Sequence, residues 1–185
     1  MSELTANPLP TDGQPLWRLA DAWRREPQLT ALWPWLSHSG SLTEKLRAAV
    51  GGVFHVKVLH EGAVQLSDED ALLLHTSPGT AARQREVQLC GTVPLVYART
   101  LAPSEAASWL QDLNSQPLGD RVFAEAGTQR GAIEVARLDT AGSLYRSAVR
   151  NIEHAPAILW ARRSVLSLGD SRLLIYECFL GLPGP

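Results

Sequence analysis

The sequence has only two cysteines, Cys90 and Cys178, and one methionine in 185 residues. Two isolated cysteines form no disulfide framework, and no CxxC pair or His/Cys spacing suits a metal. They read as two small buried hydrophobes in a reducing cytosol. The five histidines, His38, His55, His60, His75 and His154, are scattered. An excess of one charge is also lacking, since 17 basic and 19 acidic side chains leave a formal net charge of -2. Without a basic block, neither nucleic acid nor a membrane surface is an expected partner. No apolar run approaches the roughly 20 residues of a membrane-spanning helix. The opening MSELTANPLPTDGQP lacks the basic start and apolar run of a signal peptide. Internal repeats and low-complexity segments are absent. These absences predict a cytoplasmic protein.

What is present suits one folded unit. The composition is 45% hydrophobic, enough for a sizeable core. A flexible leader rich in Pro, Thr and Gly is expected over residues 1–14, with a single domain over 15–185. Leu16, Leu19, Ala20 and Trp23 recur at helical spacing. Pro34 limits any helix in TALWPWLSH. In SLTEKLRAAV, Ser41 precedes Glu44 by three positions, the capping box of a helix that Gly51-Gly52 ends.

The period then changes from helical to alternating. VFHVKVLH (53–60) and AVQL (63–66) read as strands joined by a Glu61-Gly62 turn. SDEDALLLHTSPGTAAR reads as a loop with one short helical turn. Strands over 84–90 and 95–102 form a second hairpin. Pro103 and Ser104 open a helix, and QPLGDRVF suggests a short one. GAIEVARL (131–138) is a strand, whereas 139–158 has no clear pattern. The segments 158–168 and 171–180 pair across Gly169-Asp170. About six strands in hairpin order, with helices segregated from them, predict an α+β fold on an antiparallel sheet.

Two of these strands carry charges on apolar faces. In QREVQLCG (84–91), Arg85 shares a face with Val87 and Leu89. In LLIYECFL, Glu177 shares one with Leu173, Ile175 and Phe179. An unpaired buried charge costs several kcal/mol, so each needs a partner or a ligand. Either the two pair with each other or reach the sheet edge, or both face a cavity holding a small anion, or a one-residue slip of register puts them on the opposite face. Arg137, on a face with Ile133 and Val135, and Glu134 on the other suggest pairing with a neighbouring strand. Arg162 and Arg163 point to opposite faces, and Arg162, beside Trp160 and Ser164, reads as solvated.

Several pieces in order resemble a known family, the chorismate pyruvate-lyases of bacterial ubiquinone biosynthesis. They are SLTEKLR (41–47), LHEG (59–62), REVQLC (85–90), ARTLAP (98–103), PLGDRVF (117–123), IEVAR (133–137), WARRSVLSL (160–168) and LLIYECFL (173–180). The resemblance implies a six-stranded antiparallel sheet flanked by helices, with helical flaps over a buried ligand. It implies cofactor-independent conversion of chorismate to 4-hydroxybenzoate and pyruvate. The family's carboxylate-binding arginine falls on Arg85, and its strand glutamate near the ring hydroxyl on Glu177. Its two backbone N–H contacts fall on Leu118, in the PLG turn, and on Leu42, where the family has methionine. A backbone contact survives that exchange.

The chemistry so implied is an elimination driven by aromatisation. Arg85, Leu42 and Leu118 are the expected substrate-binding groups, with Glu177 contacting the C4 hydroxyl and Arg85 and Glu177 as the catalytic pair. Apolar neighbours are expected to raise the Glu177 pKa. His60, Arg137 and Lys57 are candidates for the pyruvate moiety. The alternatives are a non-catalytic aromatic-acid sensor of the regulator effector type, and a chorismate enzyme making 3-hydroxybenzoate. A monomer is expected.

Overall fold

The structure, a computed structural model, describes residues 14–111 and 113–182. The leader expected over residues 1–14 therefore lies outside the described residues except for Gln14. Six long strands form the body of one antiparallel sheet: β2 (His55–Gln65), β3 (Ala81–Cys90), β4 (Pro94–Pro103), β6 (Glu134–Asp139), β7 (Ile158–Leu168) and β8 (Ser171–Phe179). Two-residue strands, β1 (Arg18–Leu19) and β5 (Gln129–Arg130), bring the count to eight. The order is β1-β6-β7-β8-β4-β3-β2, with β5 beside β7. The helices are α1 (Trp33–Leu36), α2 (Leu42–Val50), α3 (Asp68–Leu74), α4 (Leu118–Val122) and α5 (Ser143–Val149). None among the described residues is long and apolar enough to cross a membrane.

Alternation makes each strand two-faced. One face packs beneath α3 and α5, which contribute Ala71, Leu74, Leu144 and Tyr145 to a core with Tyr97, Leu174 and Tyr176. The other face carries Arg85, Val87, Glu177 and Phe179. It lies under α1, α2, α4 and a 3-10 helix at Ser104–Leu110. Both faces are covered, which is why strand β8 is buried from Leu173 to Phe179.

The expected caps form. Ser41 Oγ accepts the Glu44 N–H at 3.2 Å, and Gly51 ends α2 at φ 64°, a conformation that favours glycine. Two expectations need correction. The Glu61-Gly62 turn does not form: β2 runs unbroken from His55 to Gln65, with a bulge between Val58 and His60. The chain reverses instead through α3. The helical spacing of Leu16–Trp23 gives strand β1, paired with β6, and a 3-10 turn at Ala20–Trp23. Trp23 anchors that turn by donating its Nε1–H to Val135 O at 3.0 Å and packing edge-on against Trp160. The unplaced segment 139–158 contains helix α5.

Candidate active site

The register across the central strands builds the floor of a cavity. Arg85, Thr100, Ile175 and Ser164 form one row across β3, β4, β8 and β7. Val87, Ala98, Glu177 and Arg162 form the next. Above these rows is a cavity of about 530 Å³, its mouth included, roofed by the starts of α2 and α4. Arg85 and Glu177 both line it. Leu42 and Leu118, also on its wall, are the first residues of α2 and α4. An N–H at that position has no acceptor within its own helix.

The two roof helices meet closely. A Cβ on Gly119 would lie 2.8 Å from Ser41 Oγ and 3.1 Å from Thr43 Oγ1. Only a residue without a side chain lets α4 approach the start of α2 this way. Arg47 and Asp120 then bridge the same helices at 2.7 Å on the exposed side.

The two charges that the alternation singled out do not pair with each other. Arg85, only 3% exposed, directs Nε to Glu61 Oε1 at 2.7 Å and Nη2 to the carbonyls of Asn114 and Gln116 at 2.7 and 3.1 Å. Nη1 stands outside these bonds. Burial pulls its pKa down, and Glu61 acts against that. Glu61 sits opposite Arg85 in the β2–β3 register, a placement that the supposed turn concealed.

Glu177 pairs with Arg162. Arg162 Nε reaches Glu177 Oε2 at 2.5 Å, and the two are register partners on β7 and β8. Expected in solvent, Arg162 is instead completely buried. The cover comes from distant sequence: its Nη1 donates to the carbonyls of Trp35, Leu36 and His38 at 2.8, 3.4 and 2.6 Å. These lie at the C-terminal end of α1, where unpaired carbonyls favour a cation. The pair also corrects the expected pKa of Glu177. Burial pushes it up, but the charges of Arg162 and Arg130 and the Arg162 hydrogen bond outweigh burial. The carboxyl ends below its ordinary range and is ionised at neutral pH.

Other candidates fall elsewhere. Lys57 and His60 are exposed on β2, opposite Gln88 and Glu86 on the face away from the cavity. Arg137 shares the cavity face but lies opposite Trp160, clear of the cavity wall. Its buried Nε has no hydrogen-bond partner among the described residues, whereas Glu134 pairs as expected, with Arg163 at 2.7 Å. Arg130, Thr43 and Thr100 line the cavity and escaped the reading of the sequence.

The fold is shared with effector domains of transcription regulators. The effector domain of PhnF from Mycobacterium smegmatis matches with a TM-score of 0.55 at 17% identity, over 77% of this chain and 89% of that one. A GntR-family transcriptional regulator from Enterococcus faecalis V583 matches at 0.52 and 10% identity, over 70% of this chain and 96% of that one. These place the chain in a class of α+β domains built on one antiparallel sheet. Within that class the chorismate lyase family model matches residues 14–183, and the chain belongs to that family. A relative from Azoarcus sp. (strain BH72), named "Probable chorismate pyruvate-lyase", is 35% identical over 179 residues, 88% of this chain and 94% of the relative. One of the same name from Pseudomonas aeruginosa (strain UCBPP-PA14) is 35% identical over 167 residues, 85% of this chain and 90% of the relative.

Proposed function

We propose that this chain is a cofactor-independent chorismate pyruvate-lyase, converting chorismate to 4-hydroxybenzoate and pyruvate at the start of ubiquinone biosynthesis. One observation carries the reading: Arg85 and Glu177 line a single cavity from neighbouring rows of one sheet face, under the first N–H groups of α2 and α4. Family membership supports it.

In this reaction the C4–H bond breaks and its electrons complete the aromatic ring. The C3–O bond breaks, and the oxygen leaves with its electron pair as the enolate of pyruvate. That enolate takes up a proton to become pyruvate. Aromaticity drives the step, so the protein has to hold the diene and manage charge. Arg85, through Nη1, and the N–H groups of Leu42 and Leu118 would hold the ring carboxylate. Ionised Glu177 would accept a hydrogen bond from the C4 hydroxyl and would take or relay the departing proton. Val87, Leu89, Ile175 and Phe123 on the cavity wall would exclude water.

The reading extends to a monomer acting in the cytoplasm, with residues 15–185 working as one domain. Cys90 and Cys178 are both free and buried, which suits a reducing compartment. The partners it carries are chorismate and 4-hydroxybenzoate, without nucleic acid or membrane. The test is incubation with chorismate and separation of the products. 4-Hydroxybenzoate with equimolar pyruvate is the expected result. 3-Hydroxybenzoate would assign a different enzyme, and tight binding of an aromatic acid without turnover would assign a sensor.

A further inference from the structure

Chorismate carries a second carboxylate, on the enolpyruvyl group, and the groups assigned above serve only the first. Two arginines line the cavity, Arg85 and Arg130; Arg85 is paired with Glu61, and Glu177 on the wall is paired with the buried Arg162. Arg130 lines the cavity but reaches no carboxylate within ion-pair distance among the described residues. Its position is fixed without one. Nε donates to Ser39 O at 3.0 Å, Nη1 donates to Ser164 Oγ, and the guanidinium stacks over Phe123 with 5.3 Å to the ring centroid.

The sheet register gives the geometry. Ser164, which holds Arg130, ends the row Arg85–Thr100–Ile175–Ser164. Three strand spacings of about 4.8 Å separate the ends, so the backbones bearing Arg85 and Ser164 stand roughly 14 Å apart. Both arginines line the cavity, Arg85 at one end of this row and Arg130 held by Ser164 at the other. Glu177 lies in the next row toward β7, and Arg130 is near enough to pull the Glu177 pKa down. With the hydroxyl at Glu177, one of the two ring carbons flanking it, C3 or C5, faces Arg130, and we take that carbon to be C3. His38, beside this end of the cavity, has its pKa lowered by burial and by the charges of Lys45, Arg162 and Arg130. That end of the site is electropositive.

Resting on the lyase reading, we propose that Arg130 binds the enolpyruvyl carboxylate and so selects a diacid with its second carboxylate on the ether at C3. Of the three residues that the sequence offered for this role, none borders the cavity. Arg130 is a fixed cation that feels the charge of Glu177 but has no carboxylate in ion-pair contact among the described residues, and the substrate's second carboxylate would supply one. The ring carboxylate and hydroxyl are common to substrate and product, but the second carboxylate belongs to the substrate alone. Arg130 thus discriminates between them, while Arg85 binds both.

The test uses two non-reacting aromatic probes that differ only in that charge, 4-hydroxy-3-methoxybenzoate and 3-(carboxymethoxy)-4-hydroxybenzoate. Their affinities are measured by calorimetry on wild type, Arg130→Met and Arg130→Lys. Arg130→Met is expected to weaken the diacid by roughly 10- to 100-fold, the range for a buried charge-assisted contact. The methoxy probe should change by less than about threefold. Arg130→Lys, which keeps the charge, should recover part of the diacid affinity. Equal losses for both probes would show that Arg130 only holds Ser39 and Ser164 in place, and would overturn the proposal. An unchanged diacid affinity in Arg130→Met would overturn it as well. Failure of the lyase reading itself shows separately, as wild-type protein that leaves chorismate unconverted.

Discussion

Glu61 lies directly opposite Arg85 in the β2–β3 register, and its carboxylate holds the arginine Nε at 2.7 Å. The pair explains how a guanidinium tolerates an apolar strand face. It also fixes the direction in which Arg85 meets the cavity. Glu61→Gln keeps one acceptor but removes the charge. The Arg85 side chain then loses its counter-ion and gains freedom. Affinity for 4-hydroxybenzoate should fall by about tenfold, or about 1.4 kcal/mol, just under the roughly 1.5–3 kcal/mol range of hydrogen bonds to charged groups. Titration calorimetry reads this directly, and unchanged affinity would show that Arg85 needs no support from Glu61.

Glu177→Gln tests the second charge. The substitution keeps size and an acceptor but leaves Arg162 without its ion-pair partner. If Glu177 handles the proton, turnover should fall by roughly 10²-fold or more. Product affinity should fall much less, because Arg85 and the two backbone donors remain. Stability should drop by about 2 kcal/mol or more, since one side of a buried pair is removed. Melting temperature, product affinity and turnover on one preparation separate these effects. A stable variant with wild-type turnover would take Glu177 out of the mechanism.

The same pair sets an acid limit on stability. The folded-state pKa of Glu177 lies below its ordinary value of 4.5, through Arg162 and Arg130 acting against burial. The unfolded chain therefore takes up this proton first as pH falls. The stabilisation is fully present above about pH 4.5 and is lost as pH falls through the lower folded value. Denaturation midpoints of wild type and Glu177→Gln should differ by a constant amount near neutrality and converge below that pH. A difference that grows on acidification would contradict the ion-pair assignment.

Gly119→Ala tests the roof. Its Cβ would meet Ser41 Oγ at 2.8 Å, an oxygen already occupied in capping α2. Either α4 moves outward or the cap is lost, at roughly 1 kcal/mol. The expected result is several-fold weaker 4-hydroxybenzoate binding with faster release. Where lid opening limits turnover, kcat should hold or rise. Stopped-flow release rates equal to wild type would show that the roof is not the gate.

Much of this was legible in the chain. Alternation over 84–90 and 173–180 placed Arg85 and Glu177 on the correct faces, because a strand period depends only on neighbours. Ser41 and Glu44 announced the cap on α2 for the same reason. The partners were not legible, since they depend on register and cover. Glu61 was hidden by a supposed turn at Gly62, although β2 simply continues through it. Arg162 looked solvated because its acceptors lie more than 120 residues earlier in sequence. Arg130 sits in a two-residue strand with no periodicity to read. The expectation of a raised Glu177 pKa followed from the apolar neighbours alone and missed the two cations.

The most direct test of the central claim follows pyruvate and aromatic product together when chorismate is added to wild type and to Arg85→Met. The methionine fills the space of the arginine stem without its charge. Wild type should release pyruvate and 4-hydroxybenzoate in equal amounts. Arg85→Met, still folded, should show kcat/KM lower by roughly 10²-fold, with 4-hydroxybenzoate affinity falling in step, because both ligands carry the ring carboxylate. A folded Arg85→Met protein with wild-type kcat/KM and product affinity would contradict the assignment of this cavity as the lyase active site.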